Sequence, residues 1–127
     1  MEQENINLTN AEWNVMECLW VSSPLTGREL VDQLKQTVGW TKSTTLTMLS
    51  RMYAKGLISC DDSGKMRLYA PCVDRDVAVH NETDNFLKRV YKGSIGLMMS
   101  AITEKQELSK EDVEQLYAIL EQYRKEN

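Results

Sequence analysis

Cysteine, histidine and long apolar runs are all scarce in this chain, and each scarcity removes a class of protein. The three cysteines, Cys18, Cys60 and Cys72, are odd in number and far apart, with no C-x-x-C pair. That pattern fits neither a disulfide framework nor a common zinc motif, so reduced thiols are expected and no metal. Cys18, inside a helical stretch, reads as a small buried hydrophobe, while Cys60 and Cys72 flank a pair of short strands and bring in a redox pairing as a minor alternative. A single histidine, His80, sits on a polar helix turn and reads as a surface residue. With no Gly-rich phosphate loop, no H-E-x-x-H pair and no nucleophile elbow, little material remains for acid-base chemistry, and neither enzyme activity nor a cofactor is expected. No apolar run approaches the about 20 residues needed to span a bilayer. Met1-Glu2-Gln3-Glu4 has neither the basic region nor the apolar stretch of a leader, so a cytoplasmic protein is expected.

What is present is a chain of 127 residues with 42% apolar residues, enough for one ordinary core or for a compact head with a partner-dependent tail. The net charge of −4 would repel a polyanion at long range. Its distribution is uneven. Residues 38–72 hold five cations (Lys42, Arg51, Lys55, Lys65, Arg67) against two anions, a local charge of +3, whereas residues 73–127 stand at −3. A basic segment within an acidic chain is the footprint that a nucleic-acid site needs.

Thr9-Asn10-Ala11-Glu12 matches a capping box and predicts a first helix with Trp13, Met16, Leu19 and Trp20 at helical spacing, ended by Ser22-Ser23-Pro24. Thr26-Gly27-Arg28-Glu29 is a second box, opening a helix whose buried stripe reads Leu30, Val31, Leu34 and Val38 and which closes near Gly39. Thr41 is the N-cap of a third helix running to about Lys55, where Gly56 stops it. Leu57–Cys60 and Met66–Ala70 then read as two strands around the turn Asp61-Asp62-Ser63-Gly64-Lys65. Three short helices followed by a hairpin outline a winged helix-turn-helix, so the fold class is mainly α with a small β-hairpin wing. Trp13, Trp20 and Trp40 read as packing residues of this head.

In the third helix, Thr45, Met48, Leu49 and Met52 recur at i, i+3, i+4, i+7 and form the expected buried face, with Tyr53 beside it. The opposite side carries Lys42, Ser43, Thr44, Leu46, Thr47, Ser50 and Arg51. Small hydroxyl residues approach base edges closely, a threonine methyl can meet a thymine methyl, and cations hold phosphates. Lys55 and the wing residues Lys65 and Arg67 complete the candidate DNA-binding set. Alone, the polar face would read as solvated surface. The wing and the basic segment reverse that preference.

At this point the residues resemble a known family. Ala11-Glu12-Trp13-Asn14-Val15-Met16 followed by Leu19-Trp20, then Lys42 to Met52 (KSTTLTMLSRM) running into Lys55-Gly56-Leu57-Ile58, and finally Tyr69-Ala70-Pro71, resemble the BlaI/MecI/CopY family of penicillinase and methicillin-resistance repressors, over about Leu8 to Tyr123. The resemblance implies a homodimeric repressor that binds a two-fold symmetric operator, with Ser43, Thr44, Thr47 and Arg51 at recognition-helix positions. It also implies two regulatory routes from which this chain departs at the aligned positions. Members cut by a regulatory protease have an Asn-Phe bond where this chain has Ala101-Ile102, and copper-responsive members end in a cysteine-rich motif, whereas no cysteine follows Cys72.

The tail, residues 73–127, reads as a helical dimerisation domain behind a DNA-binding domain of residues 1–72. Helical patterns present Val79, Thr83, Phe86, Leu87 and Val90, then after a break at Gly93 Ile95, Met98, Met99 and Ile102, and after the Ser109-Lys110-Glu111-Asp112 cap Val113, Leu116, Tyr117 and Leu120. Three thin apolar stripes cannot build a stable core alone, so pairing with a second copy is expected, with folding back on the head as the alternative. The competing function is a winged-helix module that binds protein instead of DNA.

Overall fold

The computed structural model describes residues 6–105 and 107–127. The Met1 to Glu4 stretch lies outside them. The described residues form helices α1 (Asn10–Val21), α2 (Gly27–Val38), α3 (Lys42–Ala54), α4 (Arg75–Tyr91), α5 (Ile95–Lys105) and α6 (Lys110–Glu126), and strands β1 (Leu25–Thr26), β2 (Ile58–Asp61) and β3 (Leu68–Pro71). The chain divides into two compact units, Met1–Asp84 and Asn85–Asn127.

In the first unit, local chemistry sets the helix ends. Thr9 Oγ1 accepts the Glu12 amide at 3.1 Å while the Glu12 carboxylate accepts the Thr9 amide at 2.8 Å, and Thr26 with Glu29 repeats the arrangement. Thr41 caps α3 through the Thr44 amide. Gly39, at φ 74°, takes the left-handed conformation that ends α2. The core joins Val15, Met16 and Leu19 of α1, Leu30 and Leu34 of α2, and Leu49 and Met52 of α3 with Leu57, Ile58 and Tyr69. Val38 departs from expectation and is exposed, since it is the last helical residue and the stripe has already left the core.

The hairpin is the predicted wing with a third strand added. The antiparallel order is β1-β3-β2, with Leu25 opposite Tyr69, and Cys60 opposite Tyr69 from the other side. A two-residue strand carries no periodic signal of its own and exists because the returning wing strand pairs with it. Cys60 and Cys72 are not opposite each other: the Cys72 amide bonds to Leu57, three residues from Cys60 and so about 10 Å along the strand. A disulfide needs Cα atoms within about 7 Å. Neither forms a disulfide, nor does Cys18.

The first unit continues past residue 72, because Val73 and Ala78 are buried in its core. The second unit comprises the end of α4 with α5 and α6. Neither α5 nor α6 buries a single side chain fully among the described residues. Leu87, Met98, Met99, Ile102 and Leu116 are half-buried, while Phe86, Val90, Ile95, Val113, Tyr117 and Leu120 are exposed.

Candidate nucleic-acid interface

The phase of α3 follows its letters. Thr45, Leu49 and Met52 are buried and Met48 is half-buried, so Lys42, Ser43, Thr44, Leu46, Thr47, Ser50 and Arg51 all project outward. This leaves a face of hydroxyls, one leucine and terminal cations standing clear of the fold. Grooves run along both of its sides.

The larger groove, about 590 Å³, lies between the start of α2, α3 and the wing, where Arg28, Lys42, Arg67, Leu46 and Met66 line it. The smaller, about 410 Å³, lies between α3 and the wing strands, lined by Ser50, Tyr53, Cys60, Asp62 and again Leu46 and Arg67. Arg67 thus serves both. It stands beside Tyr69, whose phenol burial pushes above its ordinary range, with Arg67 opposing the shift. At the turn, Asp61 accepts the Ser63 amide at 3.0 Å and hydroxyl at 2.7 Å, which orders the wing tip. The hydroxyl, and after it the amide, holds the Asp61 carboxyl below the usual range.

Two candidate cations differ from the others. Lys65 is exposed at the wing turn and lines neither groove. Lys55 is engaged within the fold: its Nζ donates to Oε2 of the buried Glu12, while about half of its side chain stays exposed. Arg28 was missed by the sequence reading. It stands in the first turn of α2, exposed, where the free amides and positive dipole of a helix start add to its own charge. Its position directly after the Thr26 cap, on the helix preceding α3, was the available signal.

Among the described residues, no three His, Cys, Asp or Glu side chains converge as a metal site, and no helix is long and apolar enough to cross a membrane.

Comparison with known proteins bears on the whole arrangement. The penicillinase repressor family profile matches residues 8–122. The penicillinase repressor of Bacillus licheniformis is 31% identical over 92% of this chain and 91% of its own length. The methicillin resistance regulatory protein MecI of Staphylococcus aureus is 27% identical over 94% of this chain and 98% of its own. Among solved structures, the DNA-binding domain of the repressor BlaI covers 55% of this chain and 85% of that domain at 30% identity and a TM-score of 0.51. Monomeric Bacillus licheniformis BlaI in complex with the blaP half-operator covers 57% and 88% at 29% identity and a TM-score of 0.52.

Proposed function

Because the chain belongs to the penicillinase repressor family, a family of DNA-binding transcriptional repressors and not of enzymes, we propose that it acts as a homodimer that reads a two-fold symmetric operator with α3 and holds the flanking phosphates with Arg28, Lys42, Arg51, Lys65 and Arg67. The observation that carries this reading is the outward face of α3, polar and close-fitting, set between two grooves that share Arg67. Hydroxyls and a leucine can meet base edges and thymine methyls, and the surrounding cations fix register without reading sequence.

The dimer half of the reading rests on the second unit. A helix pair that buries no side chain fully leaves its apolar stripes in water, and a second copy of the same stripes is the simplest cover. Val113, Leu116, Tyr117 and Leu120 recur along α6 at the spacing a helix-helix seam uses. In this reading the protein works in the cytoplasm beside its DNA. A regulatory protease would find no Asn-Phe bond within α5, where Ala101 and Ile102 stand; the Asn-Phe bond of this chain is Asn85-Phe86, in α4.

The test is selection of duplexes from a random pool by the full-length protein, followed by titration of the enriched sequence at several salt concentrations. A consensus with two-fold symmetry is expected, with log K falling against log salt at a slope approaching about −9 for five cations per protomer. Absence of any enriched duplex would overturn the reading in favour of a protein-binding module. Sedimentation should give a dimer, and Leu116→Glu with Leu120→Glu should give a monomer that binds the full site weakly; a parent that sediments as a monomer overturns the dimer half.

A further inference from the structure

We propose that Leu46 is a specificity-determining residue of α3, reading one thymine in each half-site through its C5 methyl group. At that position the operator is recognised by an apolar contact and not by a hydrogen bond. The inference deepens the operator-binding reading above and rests on it.

Leu46 lies outside the core. The buried residues of α3 are Thr45, Leu49 and Met52, whereas Leu46 is 41% exposed, an aliphatic side chain in an outward row that is otherwise polar. Helical spacing puts Ser43 one turn before it and Ser50 one turn after, at i−3 and i+4, and both are exposed. A leucine standing singly on a surface is ordinary. This one has apolar company: it lines both grooves, and in the larger it is joined by Val31 and by Met66 of the wing turn, itself 63% exposed. Arg28, Lys42 and Arg67 line the same groove. Apolar groups among cations fit a partner with an anionic backbone and a reading edge that carries apolar groups.

The chemistry of base edges narrows that partner group to one. In the major groove thymine presents a C5 methyl, whereas guanine, adenine and cytosine present only hydrogen-bond donors and acceptors to such a side chain. A leucine can neither donate nor accept. Against those three edges it displaces water without replacing its hydrogen bonds, at a cost, while against the methyl it removes apolar surface from water. Both effects favour thymine. The serine hydroxyls on the adjacent turns can donate or accept, so polar contacts to neighbouring bases need nothing from Leu46. Taking one methyl out of water corresponds to about fourfold in affinity per half-site, and about 15-fold when both half-sites are changed.

The experiment uses the full-length protein and the operator it selects from the random pool. Each thymine is replaced in turn, symmetrically in both half-sites, by deoxyuridine, which lacks only the methyl. At one thymine per half-site the parent should bind the deoxyuridine duplex about 15-fold more weakly. At that same position a 5-methyldeoxycytidine·guanine pair should bind more tightly than deoxycytidine·guanine by a similar factor, because the methyl is restored while the hydrogen-bonding groups stay those of cytosine. Leu46→Ala, a good helix former, should bring both ratios close to one, while Thr47→Ala should leave them as in the parent. Each ratio compares two duplexes on the same protein, so a variant that is merely less stable would leave it unchanged. A selected operator in which no thymine methyl matters, or a ratio that survives Leu46→Ala, would overturn the assignment to Leu46 and leave the operator reading intact. Absence of any enriched duplex would overturn both.

Discussion

Lys55, the C-cap of α3, donates to a Glu12 carboxylate that is only 4% exposed and already accepts the Thr9 amide. One carboxylate therefore caps α1 and anchors the far end of α3. The two partners are unequal, since the Lys55 side chain is 53% exposed. Lys55→Met would leave a buried charge short of a partner, whereas Glu12→Gln would leave a lysine that water can reach and an amide oxygen that can still cap. We expect Lys55→Met to cost about 2 kcal/mol and Glu12→Gln about 1 kcal/mol. Urea unfolding at neutral pH measures both, and the reverse order would show that Glu12 does not depend on Lys55.

The same pair predicts a pH dependence. Burial pushes the Glu12 carboxyl upward, but Lys55 and the Thr9 amide and hydroxyl together outweigh it and hold the carboxyl below its ordinary value. A group depressed in the folded state contributes stability above its unfolded value of about 4.3 and loses it as pH falls through the lower folded value. Stability of the parent should therefore fall with acid below about pH 5, and Glu12→Gln should remove part of that slope. Identical slopes for parent and variant would rule out this contribution.

Thr45 is fully buried on the inner face of α3, and its Oγ1 has no hydrogen-bond partner among the described residues. An unsatisfied buried hydroxyl costs about 1–3 kcal/mol. Thr45→Val, which keeps the branched shape, should raise the unfolding free energy by about 1 kcal/mol. A destabilised Thr45→Val protein would mean that the hydroxyl is bonded in solution.

Base reading and phosphate holding separate by salt. Thr47→Ala should lose about 1–3 kcal/mol on the selected operator and little on unrelated duplexes. Arg28→Ala and Lys65→Ala should weaken every sequence alike, and each should flatten the salt slope by about 2, since a dimer loses two contacts. Equal losses for Thr47→Ala on all duplexes would remove it from the base-reading set, and a sequence-selective loss for Arg28→Ala would place it among the readers.

The extent of the head is testable by truncation. A fragment of residues 1–84 keeps Val73 and Ala78 in the core and the Trp20 bond to Val73, whereas a fragment of residues 1–72 leaves that indole unpaired and opens the core. The shorter fragment should be less stable by about 2–4 kcal/mol, read as a lower thermal midpoint. Equal midpoints would show that the chain after residue 72 adds nothing to the head.

Much of this architecture was legible in the sequence because it is local. Capping boxes at Thr9, Thr26 and Ser109 act over three residues, and the buried face of α3 follows from a period of 3.6, so helix starts, the wing and the outward row from Lys42 to Arg51 could be read from adjacent letters. Only the tertiary structure decided how the charges pair. Lys55 meets Glu12 across 43 residues and Arg75 meets Glu17 across 58, and no periodicity records a partner at that distance. The same holds for β1, which is a strand only because β3 returns beside it, for Arg28, which lines the larger groove because the start of α2 faces the wing, and for the head's continuation to Asp84, which follows from Val73 and Ala78 finding room in a core built from other helices. Local hydrogen bonding writes its pattern into neighbouring residues, whereas long-range packing and ion pairing depend on which surfaces the folded chain brings together.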